Sequence, residues 1–136
     1  MEVGEIYQTE TLHVVGKYNN GNNIVGFEHP FAIIKKDRSD IWGVMLTHGN
    51  FENNVPMKKE HFKEGYIFEF HDENYEKGIT QMVKLFLDKS IITRENLKSD
   101  IKGYLTEEGL AFIHERINEL GWMPTNWREY KETLPK

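Results

Sequence analysis

The sequence predicts a mainly β domain, a small barrel of five to seven short strands, with an amphipathic helix towards the C-terminus. Three observations carry this expectation. Apolar runs of strand length, rich in Val, Ile, Phe and Tyr, recur as far as Ile92 and are bounded by Gly, Pro, Asn and Asp. Aromatic residues make up 12% of the chain, generous for a short protein with little helix. Only after Thr106 do apolar residues fall at helical spacing over several turns. A length of 136 residues fits a single domain, 1–136, with a real core.

In order along the chain, "GEIYQTETLHVV" at 4–15 mixes β-branched, aromatic and polar residues as a half-buried strand does. The Asn- and Gly-rich segment 16–28 reads as a loop, of a length that often serves function. "PFAIIKK" at 30–36 and "IWGVMLT" at 41–47 are strands joined by the turn residues "DRSD". Residues 55–59 allow a short strand that Pro56 confines to an edge. "GYIFEF" at 65–70 alternates, with Tyr66, Phe68 and Phe70 on one face. "TQMVKLFLDKSII" at 80–92 is the longest strand candidate, and its unbroken centre implies burial on both faces. Thr93 suits the cap of a helical turn over "RENLKSD".

The helix spans about 107–120. Thr106 is its N-cap, Glu107 and Glu108 complement the positive end of the dipole, and Gly121 stands where a C′ residue belongs. Leu110, Ile113, Ile117 and Leu120 form its apolar stripe, with His114 off that stripe and facing solvent. The tail 121–136 brings Trp122, Trp127 and Tyr130 to pack against the barrel.

Composition narrows the chemistry. There is no cysteine, which excludes disulfides, thiolate metal sites and cysteine nucleophiles. The net charge of −5 argues against non-specific coating of nucleic acid. A local basic groove is compatible with it, since Lys35, Lys36, Lys58 and Lys59 stand close in sequence. "MEVGEIYQTE" has no apolar signal core and no run nears membrane-spanning length, so a cytoplasmic protein with no membrane partner is expected.

The candidate chemistry lies in the hairpin 27–50, "FEHPFAIIKKDRSDIWGVMLTHGN". With Asp37–Asp40 as a four-residue loop, Lys36 faces Ile41, Ile34 faces Gly43, Ala32 faces Met45 and His29 faces His48. Thr47 then stands beside Pro30. Two imidazoles and a hydroxyl at one rim suffice for phosphodiester cleavage without a metal ion or any other cofactor. One imidazole takes a proton from a ribose 2′-OH, a second group protonates the leaving oxygen, and Thr47 bonds the phosphorane oxygens. A plain strand start at His29–Pro30 and a plain turn in "THGN" account for the same residues without catalysis.

The order of parts resembles the MazF/PemK (Kid) family of toxin endoribonucleases. "GEIY" at 4–7, the loop 16–28, "HPFAII" at 29–34 and "VMLTH" at 44–48 follow the family's order, and "MVKLFLDKSIITRENL" with "GYLTEEGLAFIHERI" resembles its ending. The resemblance implies an SH3-like barrel, a homodimer, single-stranded RNA as substrate and an acidic antitoxin peptide as partner. It puts the family's catalytic arginine at His29 and its threonine at Thr47. Histidine keeps acid–base chemistry there but loses the permanent bidentate charge of arginine. The residues Lys35, Lys36, Lys58 and Lys59 are then the candidate RNA-binding cations. A catalytically inactive SH3-like module that binds protein or nucleic acid is the alternative. A metal hydrolase built from His13, His29, His48, His61 and His71 lacks any HxH or HExxH spacing and trails both.

Overall fold

Two hydrophobic clusters, one on each side of a single sheet, organise the molecule. The computed structural model describes residues 1–9, 14–17, 19, 23–25, 30–38, 40–48, 54–66, 77–86, 97–127 and 129, with the backbone alone at 14–17, 23–25, 48, 77, 86, 98 and 99. Its strands are β1 (Glu5–Thr9), β2 (Val14–Lys17), β3 (Asn23–Val25), β4 (Pro30–Asp37), β5 (Asp40–His48), β6 (Val55–Met57), β7 (Lys77–Phe86), β8 (Leu97–Tyr104) and β9 (Thr125–Asn126). One helix, α1, runs from Glu107 to Leu120.

The main sheet has seven strands in the order β6-β7-β5-β4-β1-β8, with β9 added in parallel alongside β7. All other pairings in it are antiparallel. The fold is thus mostly β with a C-terminal helix, as the sequence predicts, but the sheet does not close into a barrel. Among the described residues the two edge strands, β6 and β8, do not pair, and an isolated bridge, Phe62 to Leu105, joins only the segments that follow them. A physical reason is visible at the β6 edge. That strand has three residues, and Pro56 at its centre has no N–H to offer a further ladder.

Alternation along the strands sorts the core. Ile6, Ala32, Val44 and Met82 are successive cross-strand partners and belong to one cluster, with Ile34, Leu46, Ile79 and Ile113 of α1. Tyr7, Phe31, Ile33, Met45, Val83, Leu85 and Trp127 form the other. Both faces of β4 and β7 are therefore buried, which is why "PFAII" and "MVKL" read as nearly unbroken apolar runs. Trp122 packs half-buried on the first cluster and Trp127 is buried in the second; Tyr130 lies outside the described residues.

Several boundaries move. The expected strand 4–15 is two strands. The expected loop 16–28 contains a hairpin ribbon, β2 with β3, in which Val14 pairs with Val25 and Lys17 with Asn23. The β-branched Val14, Val15, Ile24 and Val25 flank the Asn-Gly turn chemistry and favour that pairing. Residues 64–66 form a turn instead of starting a strand, and 67–70 lie outside the described residues. Leu97–Asp100 are strand, not a helical turn after Thr93. Edge strand β8 pairs with β1 through two irregularities, and exposed Asp100, Ile101 and Lys102 hide its period from the sequence.

The helix matches its expected ends. Thr106 Oγ1 accepts from the Gly109 N–H at 3.0 Å, and Gly121 closes α1 at φ 66°, the left-handed conformation that favours glycine. Leu110 and Ile117 pack on the core and Ile113 is fully buried, but Leu120 is 50% exposed and leaves the expected stripe.

Candidate functional site at the ends of strand β5

The β4–β5 hairpin contains a register change that sequence counting misses. Lys36 faces Ile41 as expected, and the ladder extends to Asp37 opposite Asp40, so the connection is tighter than four residues. Between Ile33 and Lys35 the register shifts by one. Ile33, not Ile34, then faces Gly43, and Ala32 faces Val44 instead of Met45. Ile34 is the extra residue of a β-bulge. Its carbonyl accepts a hydrogen bond of 3.2 Å from Nε2 of His114 on α1. His114 is exposed, yet it is tied to the sheet rather than simply solvated.

Of the three proposed catalytic residues, His29 lies outside the described residues, and so does its expected pairing with His48. Thr47 is half-buried on β5 opposite Gly78, and the His48 backbone lies opposite Lys77. Across β7 the same rows continue to Pro56 and Met57 of β6. Two strand spacings, roughly 10 Å, separate the His48 backbone from Met57. Lys58 and Lys59 follow directly, both exposed, at the start of the 3₁₀ turn Lys59–His61.

Lys35 and Lys36 sit at the other end of the hairpin. Ile41, the partner of Lys36, and Thr47 are six positions apart, roughly 20 Å along the strand. The four lysines therefore do not form one cluster. Lys36 is held by Glu2 at 3.1 Å, and that bond and charge keep the Glu2 carboxyl below its ordinary pKa. Lys35 Nζ lies over the Trp42 ring, 4.7 Å from its centroid. Lys84, on the opposite neighbouring strand, approaches the same ring at 5.3 Å and pairs with Asp40 at 3.0 Å.

Sequence reasoning passed over His61, which sits in a polar stretch but is only 5% exposed. Its Nδ1 accepts from the Lys58 N–H at 2.9 Å, its ring stacks on Phe112 with centroids 4.3 Å apart, and its carbonyl accepts from the Thr106 N–H at 3.0 Å. His61 thereby joins the 3₁₀ turn to the start of α1. Only the apolar partner four to six residues into the following helix could have flagged it, and that contact is tertiary.

Burial lowers the His61 pKa from 6.5, against the opposing pull of the nearby Glu108 and Glu60 charges, with Lys58 adding to the depression. Protonation would also take the Nδ1 lone pair that receives the Lys58 N–H. The unfolded chain then binds the proton more readily than the folded one. This contribution to stability is full above the ordinary histidine pKa and is lost as pH falls through the depressed folded value. Melting temperatures across this range should fall more steeply with acid in the wild type than in His61→Asn, whose amide oxygen replaces the Nδ1 acceptor without titrating. Parallel curves would remove this role for His61.

By class the molecule is a small, mostly β protein, with an open antiparallel sheet covered on one face by a C-terminal helix. No protein-family model, curated protein or solved structure matches the chain. Among the described residues no helix is long and apolar enough to cross a membrane.

Proposed function

We propose that the chain is a metal-independent endoribonuclease of the toxin–antitoxin type, cleaving single-stranded RNA in the cytoplasm. The observation that supports this reading is the convergence at the far end of β5. Thr47 and His48 close that strand in rows that cross β7 to β6, next to Lys58 and Lys59. In the reaction, one imidazole, of His29 or of His48, removes the proton from a ribose 2′-OH. That oxygen attacks the adjacent phosphorus, the bond to the 5′ oxygen breaks, and the second imidazole protonates the leaving oxygen. A 2′,3′-cyclic phosphate and a 5′-hydroxyl result. Thr47 donates a hydrogen bond to the phosphorane, and Lys58 and Lys59 hold the strand. A homodimer whose RNA groove is filled by an acidic antitoxin peptide completes the proposal.

The test incubates purified protein with single-stranded RNA in EDTA. Cleavage is expected, with a loss of about 100-fold or more in each of His29→Ala, Thr47→Ala and His48→Ala. RNA left intact at micromolar protein would overturn the nuclease. A second reading, a catalytically inactive SH3-like binding module, is favoured by a separate observation. The row Lys35–Trp42–Lys84 offers aromatic and cationic groups but no acid–base pair, and it lies at the opposite end of β5 from Thr47.

A further inference from the structure

We propose that the row Lys35–Trp42–Lys84 is a nucleotide subsite for single-stranded RNA, with the indole stacking on a base and the two ammonium groups holding its phosphates. The inference rests on the RNA reading above and extends it to the hairpin tip.

The three residues are direct cross-strand partners on β4, β5 and β7: Lys35 faces Trp42 and Trp42 faces Lys84. Trp42 is half-buried and packs against the first hydrophobic cluster, so its indole is held from beneath by the core. Both ammonium groups lie over this ring, at 4.7 and 5.3 Å from its centroid. Lys84 is held in place by Asp40 at 3.0 Å. Lys35 is exposed and has no ion pair among the described residues, whereas Lys36 beside it is engaged by Glu2.

A ligand with both a flat π face and a negative charge uses every member of this row. An acidic peptide would satisfy the lysines but leave the indole without a partner. A nucleotide satisfies both. An exposed ammonium–indole contact is worth a factor of about 2 to 5 in an equilibrium, and a base stacked on an aromatic ring about 5 to 150. A base can therefore displace the ammonium groups from the ring; Lys35 can then move to a phosphate rather than to bulk water, and Lys84 can do so by exchanging its Asp40 partner for the phosphate. Five positions along β5, roughly 17 Å, separate Trp42 from Thr47, so the row is a site apart from the catalytic end of the strand.

The test measures fluorescence anisotropy of a labelled 2′-O-methyl RNA oligonucleotide, which lacks the 2′-OH needed for cleavage, against full-length protein. Trp42→Leu should weaken binding about 5- to 150-fold while binding of inorganic polyphosphate stays within about 2-fold. Trp42→Phe should restore most of the affinity, and it decides the stacking question if the leucine variant does not fold. The double variant Lys35→Ala/Lys84→Ala should reduce the slope of log affinity against log salt by about 1.4, with the exposed Lys102→Ala as a control that does not affect the row. Unchanged RNA binding in the Trp42 variants, or equal losses for RNA and polyphosphate in them, would overturn the subsite. If wild-type protein still cleaves ordinary RNA in that case, the nuclease reading survives; if it neither binds nor cleaves RNA, both fall.

Discussion

Truncation of Phe31 to alanine is expected to lower the unfolding free energy by about 3–5 kcal/mol. Phe31 is fully buried, at 0% exposure, in the cluster that contains Tyr7, Ile33, Met45, Val83 and Trp127. Its ring lies where a side chain at Gly43 on the neighbouring strand would stand, so the aromatic group covers the one place on β5 that lacks its own side chain. Removing the ring loses its transfer free energy and opens a cavity between two central strands that cannot shift closer together. Small domains have only about 5–15 kcal/mol of total stability, so the loss is a large share of it. Urea unfolding should show a lower midpoint with an unchanged slope. A change below about 1 kcal/mol would mean that the second cluster is not a packed core.

Gly109→Ala should destabilise the protein by about 2 kcal/mol, although alanine is the better helix former by about 1 kcal/mol. Gly109 is in the first turn of α1, and its N–H bonds the Thr106 cap. A Cβ there would meet the carbonyl oxygen of His61 and come within 2.9 Å of its carbonyl carbon and 3.0 Å of its Cα. All three are backbone atoms, so no rotamer change can relieve the contact. The helix or the 3₁₀ turn must move, which breaks the Thr106-to-His61 hydrogen bond and parts His61 from Phe112. Ala111→Gly, at an exposed position of the same helix, should cost about 1 kcal/mol through propensity alone. Glycine is thus expected to be the more stable residue at 109 and alanine at 111. A stabilised Gly109→Ala would show that α1 does not dock as closely as described.

These two positions illustrate what is legible in the chain. Phe31 was predicted to lie in a strand because "PFAII" is apolar without interruption, and burial on both faces produces such a run. The helix was legible to the residue because its cap, its acidic first turn and its terminal glycine each act within a few residues. Gly109 carried no local sign of its role, since the atom that excludes a side chain belongs to His61, 48 positions earlier. Trp42 likewise carried no local sign of its surroundings, since the lysines on each side of it belong to the neighbouring strands β4 and β7.

The candidate catalytic end was legible only in part. Thr47 and His48 end a strand, as the sequence predicts, and β6 follows close enough to bring Lys58 and Lys59 to the same end. The pairing count failed at Ile34. A bulge changes register by one residue without altering the apolar pattern, and this one is tied to a histidine on a helix 80 positions away.

The sequence by itself determined the strand-rich class, the helix with both its ends, and the burial of the long strand β7 on both faces. Each of these follows from interactions among near neighbours or from the period of apolar residues. Tertiary structure decided the open sheet, the shifted hairpin register, the burial of His61 and the lysines flanking Trp42. Those depend on which distant backbone groups and side chains meet, and no local preference of the chain encodes such meetings.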